Sequence, residues 1–183
     1  MSNELSLAVT PSHSLEPGLL AEVHSLCNWA YQEDLGYLFS TFGDATHVLG
    51  FIGGRLISHA MWVTRWLQVG DGPLLRTAYV EMVATDPDYQ RRGYATAVMR
   101  HLASAITDFD LGGLSPADTG LYSRLGWEFW RGPLSIRAAD GLGHECHLLP
   151  TPEEQVMVLR LPKTPPLDLE LPLSAEWREG EVW

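Results

Sequence analysis

Hydrophobic positions along this chain switch between a helical and a strand period, and the switches outline its elements. A short strand spans residues 5–9. Ser14-Leu15-Glu16-Pro17 then opens a helix, with Ser or Glu as cap and Pro early in the first turn. Leu19, Val23, Leu26 and Ala30 share one face of that helix, which runs to Tyr31. Gln32-Glu33-Asp34-Leu35-Gly36 interrupts the pattern, and a short amphipathic turn follows from Tyr37 to Phe42. Residues 47–52 and 55–69 read as arms of a hairpin around Gly53-Gly54. Gly70-Asp71-Gly72 turns a second hairpin, so antiparallel strands lead into the central stretch.

That stretch is residues 76–100, RTAYVEMVATDPDYQRRGYATAVMR, which reads as strand, turn and helix. Tyr79, Val80, Met82 and Val83 suit a strand buried on both faces. Asp86-Pro87-Asp88 ends it, because proline lacks an N–H and its predecessor disfavours the helical region. Tyr94, Val98, Leu102, Ala105 and Ile106 then recur at helical spacing. Beyond them lies a short strand at 110–114. Ser115-Pro116-Ala117-Asp118 is the next helix start, with Ser115 as cap, and that helix ends at Leu125 against Gly126. A strand over 128–136, a long polar loop over 138–154 and a strand over 155–161 complete the pattern. Residues 162–183 read as a proline-rich acidic tail.

Composition narrows the class. With 183 residues, 45% hydrophobic and 19% charged, the chain fits one soluble globular domain. No apolar run reaches the roughly 18 residues of a membrane span, and the N-terminus lacks a secretory pattern, so a cytoplasmic location is expected. Cys27 and Cys146 are too few for a disulfide framework and are read as reduced. The net charge of −11, with Lys163 the single lysine, argues against nucleic acid and suits a cationic substrate. His144-Glu145-Cys146-His147 lacks a second cluster to complete a zinc site, so no metal is expected. Trp62, Trp66, Trp127 and Trp130 are assigned to the core and sheet faces.

The candidate chemistry lies around the central stretch. Backbone N–H groups at a helix start form an anion seat, and Arg91, Arg92, Gly93 and Ala95 would let a diphosphate approach. Glu81 sits mid-strand among apolar neighbours, where an unpaired carboxylate is costly, and is the candidate base for taking an ammonium proton through a water.

The spacing Gln90-x-x-Gly93-x-Ala95 resembles the acyl-CoA pyrophosphate loop of the GNAT N-acetyltransferase superfamily. Leu121-Tyr122-Ser123-Arg124-Leu125-Gly126-Trp127 resembles that family's Y-x-x-L-G-aromatic segment. The resemblance implies one α/β domain with a mixed, mostly antiparallel sheet splayed at the central strand, and helices on both faces. It implies acetyl-CoA as co-substrate, held by Met82, Val83, Thr85, Gln90, Arg91, Arg92, Gly93, Tyr94 and Ala95, with the thioester carbonyl meeting backbone N–H near Val83. Tyr122 matches the family's general acid, which protonates the leaving thiolate.

Glu176 to Trp183, with Gly126-Trp127 and Trp130-x-Gly132-Pro133, is similar to the aminoglycoside 2′-N-acetyltransferases. This similarity runs from about Ala30 to Trp183. It implies acetyl transfer to the 2′-amine of an aminoglycoside, hence antibiotic resistance, with the sugar held by Asp34, Glu81, Ser115, Glu153 or Glu154, Glu181 and the carboxylate of Trp183. The sequence departs from the family in being shorter after Asp34 and in having Glu for Asp near its end. Another polyamine or amino sugar is the alternative acceptor, and a non-catalytic acyl-CoA-binding module the alternative class. No nucleic acid or membrane partner is expected, and a homodimer is left open.

Overall fold

The computed structural model describes residues 4–139 and 146–183, and the chain gathers into two compact units. One comprises the chain up to Val63 together with Val80–Ala105, and the other Thr64–Tyr79 together with Ile106–Trp183.

In the first unit, β1 (Leu5–Pro11) pairs antiparallel with β2 (Ala45–Ile52), and β2 with the opening part of β3 (Arg55–Val69). The end of β4 (Leu74–Thr85) leads into α3 (Tyr94–Ala105), while α1 (Pro17–Tyr31) and α2 (Gly36–Thr41) lie between β1 and β2 in the chain. Strand alternation assigns the two faces. Gly50 meets Val98 of α3, and a Cβ there would stand 3.3 Å from the valine methyl. His47, on the opposite face of β2, belongs to the side covered by α1, which buries Val23, Leu26 and Cys27. Helices thus cover both faces. The expected start of α1 at Ser14–Pro17 agrees with Pro17 in its first turn, and Glu16 takes the cap position without a side-chain hydrogen bond.

A polar run crosses the α1 side of this core. Ser12 Oγ lies 2.9 Å from His47 Nε2, and His47 Nδ1 lies 2.9 Å from His59 Nε2. His59 Nδ1 is 2.8 Å from the carbonyl oxygen of Met82. Both rings are buried. Burial pushes the His47 pKa down to about 4 and that of His59 to about 3, with neighbouring histidines adding to the effect. Burial also pushes the Cys27 thiol up to about 12, which leaves it an inert S–H.

The second unit holds the rest of β3 and β4, followed by β5 (Leu111–Leu114), α4 (Thr119–Ser123), β6 (Glu128–Phe129), β7 (Leu134–Ala139), β8 (Cys146–Pro150), β9 (Met157–Arg160) and β10 (Leu173–Glu176). Its sheet is mixed: β4 with β5 and β7 with β10 are parallel, while β9 runs antiparallel to β5 and β6, and β10 antiparallel to β3. The α/β class with a mixed sheet and helices is the expected one.

Four sequence expectations are corrected in this unit. The helix predicted from Ser115 starts at Thr119, because the Asp118 side chain accepts from Gly120 N and so provides the cap. The strand predicted over 128–136 is two, since Trp130 to Pro133 leave the sheet. There the N–H groups of Arg131 and Gly132 both donate to Leu169 O, and Trp130 Nε1 donates to Leu171 O. The loop predicted over 138–154 contains β8, paired antiparallel with β7. The predicted tail contributes β10, which lies between β3 and β7. His144 and Glu145 of the motif assessed for metal binding lie outside the described residues.

The two histidines carry a pH signature. The unfolded chain protonates them near 6.5, whereas the folded rings stay neutral until about pH 4 and about pH 3. Their pH-dependent stability is therefore complete above pH 6.5 and lost as pH falls below it, by roughly 1.4 kcal/mol per pH unit per ring. Urea titrations from pH 8 to pH 4 should show a plateau followed by that decline, with a shallower slope in His47→Gln. An equal slope in the variant would contradict the assignment.

Candidate active site

The predicted site begins on β4. Glu81 is buried, and Met82 beside it has φ +52, a left-handed backbone within a strand. Such a residue breaks the regular ladder, and the side-chain bonds around it show how its neighbourhood is satisfied. Three successive carbonyls accept from side chains: Met82 O from His59 Nδ1 at 2.8 Å, Val83 O from the Tyr31 hydroxyl at 3.2 Å, and Ala84 O from the Ser58 hydroxyl at 3.2 Å. Thr85 Oγ1 continues the set, 2.8 Å from Ser58 Oγ. Sequence reasoning picked out Glu81, Met82, Val83 and Thr85 but missed Tyr31, Ser58 and His59.

Past Thr85 the chain turns sharply. Asp86 Oδ1 accepts from Asp88 N at 3.0 Å and caps a single 3-10 turn, Pro87–Tyr89, while Asp86 Oδ2 pairs with Arg55 at 2.7 Å. Gln90 Nε2 reaches back to Thr85 O at 3.2 Å. Arg92 donates to Asp88 O at 2.8 Å and lies over the Tyr89 ring, which also receives Arg55. Gln90 and Arg92 are therefore committed to shaping the turn. Arg91 is exposed and makes no side-chain bond among the described residues, so its cation is available to a ligand.

Arg91 has φ +59 and Gly93 φ +84, with Arg92 between them. Left-handed residues in such a turn direct peptide N–H groups into a concave anion seat. Gly93 O accepts from Ala97 N at 3.0 Å, so Gly93 is the last residue before α3, and the free N–H groups of the first helical turn follow it. A Cβ on Gly93 would meet nothing within 4 Å, which leaves the backbone open to approach. Asp34, also in the first unit, is exposed and accepts from Gly36 N at 3.0 Å.

The remaining candidates belong to the second unit. Tyr122 is buried on α4, edge-on to Trp127, and desolvation, aided by Asp118, pushes its phenol up to about 12. It therefore carries its proton at neutral pH, as a general acid must. Ser115, Glu153 and Glu181 are exposed. Glu154, not Glu153, lines a cavity of about 620 Å³ with Phe129, Trp130, Pro133 and Thr151. Thr151 accepts from Trp183 Nε1 at 2.7 Å, and the indole is 2% exposed. The buried Arg65 guanidinium donates to Val182 O at 2.8 Å and to Glu176 O at 2.6 Å, and Arg178 donates to Trp183 O at 3.2 Å. The end of the described chain is thus docked. Among the described residues, no group of three or more His, Cys, Asp and Glu side chains could hold a metal ion.

Comparison with known proteins matches residues 28–130 to the acetyltransferase (GNAT) domain family, more than half of the chain. The chain belongs to the GNAT acetyltransferases. This GNAT chain is 39% identical over 137 residues to the aminoglycoside 2′-N-acetyltransferase of Mycolicibacterium fortuitum, covering 71% of the chain and 67% of that protein. Its fold is similar to that of the GNAT family N-acetyltransferase YhbS from Escherichia coli, crystallised in complex with CoA. That match has a TM-score of 0.64 at 16% identity, over 98% of this chain and 93% of the other. A GCN5-related N-acetyltransferase from Kribbella flavida gives a TM-score of 0.58 at 19% identity over 71% of this chain. The match covers 34% of that longer protein, so the chain spans about a third of its length.

The backbone of the loop can be tested alone. Gly93→Ala should destabilise the protein by about 1–2 kcal/mol through its left-handed φ, since no atom opposes the new methyl. Gly93→Asn should cost less, because asparagine tolerates that region. Denaturant midpoints check both, and an Asn variant as unstable as Ala would contradict the backbone explanation.

Proposed function

We propose that this chain transfers the acetyl group of acetyl-CoA to an amine of a cationic amino sugar, namely the 2′-amine of an aminoglycoside. The observation that carries the reading is β4 with its continuation: a carboxylate at Glu81, a left-handed Met82 and an exposed amide-rich turn at the head of α3. Residues 90–95 suit a diphosphate through the open backbone at Gly93, the uncommitted Arg91 and the N-terminus of α3. Acetyl-CoA supplies an activated thioester, and Glu81 takes the proton that the acceptor must lose to become nucleophilic. As the nitrogen–carbon bond forms and the carbon–sulfur bond breaks, Tyr122 gives its proton to the departing thiolate. The N–H of Val83 is the donor assigned to the thioester oxygen, where negative charge develops.

The substrate class rests on the 39% identical relative, whose name specifies an aminoglycoside 2′-amine. Supporting it, the second unit offers Glu154 on an aromatic-walled cavity, Ser115, Glu181 and the docked Trp183 for a polycationic sugar. Asp34 is a further acidic side chain that the family resemblance implies. The net charge of −11 favours approach of a polycation. A role in antibiotic resistance in a cytoplasmic setting, and a homodimeric assembly, belong to the same reading.

A thiol-release assay tests it with acetyl-CoA and two aminoglycosides, one bearing a 2′-amine and one a 2′-hydroxyl. Thiol release and a single 2′-acetyl product are expected with the first alone. Equal turnover of both, or turnover only with a linear polyamine, would contradict the 2′ assignment. Glu81→Gln should lower kcat/KM by roughly 10²–10⁴ while acetyl-CoA still binds. Tyr122→Phe should lower kcat with both substrates bound, because only thiolate protonation is lost. Full activity in the phenylalanine variant would remove Tyr122 from the mechanism.

A further inference from the structure

The run of side chains from Ser12 to Met82 has a fixed direction, which follows from its last member. A carbonyl oxygen only accepts, so His59 Nδ1, 2.8 Å from Met82 O, carries a proton. Cys27 Sγ stands 3.6 Å from the same nitrogen and is at most a weak secondary partner. In a neutral ring His59 Nε2 is then bare and requires a donor, which His47 Nδ1 supplies at 2.9 Å. His47 Nε2 is bare in turn and faces the Ser12 hydroxyl at 2.9 Å, whose single proton it shares with Ala45 O at 3.0 Å. Ser12 Oγ accepts from Ala45 N at 3.3 Å, which closes the run on backbone. The opposite direction would set the bare Nδ1 of His59 against the lone pairs of Met82 O. Two neutral imidazoles therefore have one consistent arrangement, with both ring protons aimed toward Met82.

We propose that His59 and His47 are positioning residues for acetyl transfer: this directed run holds the Met82 carbonyl, and so fixes the left-handed turn that aims Glu81 and the Val83 N–H. The proposal rests on the reading that acetyl transfer takes place at Glu81 and Val83. Met82 is not glycine, and its φ of +52 is disfavoured for any side chain with a Cβ. Something must hold it. The His59 bond does so from inside the core, where burial excludes the water that would otherwise compete for the carbonyl. Neither ring is placed to exchange protons with the acceptor, because the run ends on an oxygen that cannot pass a proton onward. Its effect is geometric.

The test combines a spectroscopic and a kinetic measurement. Long-range proton–nitrogen NMR of the uniformly ¹⁵N-labelled protein at pH 7 should show both His47 and His59 as Nδ1–H tautomers, against the preference of free neutral histidine for Nε2–H. An Nε2–H form of either ring would overturn the proposal. In the thiol-release assay, His59→Leu and His59→Gln, which place no donor at the Nδ1 position, should lower kcat on the order of 10- to 100-fold and leave KM for acetyl-CoA unchanged. His59→Asn, whose amide nitrogen stands where Nδ1 does, should recover most of that loss. Amide hydrogen exchange at residues 82–84 should be faster in the Leu and Gln variants and near wild type in the Asn variant. Wild-type kcat in folded His59→Gln, or an Asn variant no better than Gln, would overturn the positioning role. If His59→Leu fails to fold, the Gln and Asn pair and the wild-type tautomers still decide. A wild type that acetylates no amine would count against the proposed function, and the two readouts separate, since tautomers and amide exchange need no substrate.

Discussion

A left-handed residue in the middle of a strand is held only by what surrounds it. Met82 at φ +52 gives up part of the ladder and costs about 1–2 kcal/mol in backbone conformation. His59, Tyr31 and Ser58 bond the carbonyls of Met82, Val83 and Ala84, and bonds of this kind contribute about 1 kcal/mol each, enough to offset the cost. Those three side chains come from β3 and the last residue of α1. The local architecture of the first unit thus converges on one distorted peptide, flanked by a carboxylate on one side and by the turn into α3 on the other.

The second unit faces a different constraint, the burial of a guanidinium. Arg65 is tolerable in a core only if its donors are met, and β10 with the residues after it meets them through Glu176 O, the Glu176 carboxylate and Val182 O. Arg65 and Arg178 also lie over the ring of Tyr79, at 5.0 and 5.6 Å. The acidic C-terminal segment is thereby part of the core, ending in the buried indole of Trp183. Its ordering places Trp183 against Thr151, a wall of the cavity that Glu154 also lines.

Much of this was legible in the sequence because period and punctuation agreed. The hairpin at Gly53-Gly54, β4, the Pro87 turn, Gly93 and α3 follow from alternation, proline and the glycine demanded by positive φ. The losses have separable causes. β10 is four residues between prolines and loops, and only pairing with β3 and β7 makes it a strand. Asp118 outcompeted Ser115 as a cap, a choice made by backbone geometry that residue types alone do not reveal. The histidine pair was hidden by register. A strict hairpin about Gly53-Gly54 would set His47 opposite Ala60 and send His59 to the other face, and the shift at Gly50/Phe51 reverses that.

On the proposed reading, the kinked end of β4 and the turn into α3 form the seat of acetyl-CoA. A crystal structure of the protein with acetyl-CoA tests it most directly. The diphosphate is expected against the backbone N–H groups of residues 91–95, with the thioester oxygen on Val83 N–H. A fully occupied diphosphate bound elsewhere on the chain, or a thioester oxygen with no backbone donor from β4, would contradict it.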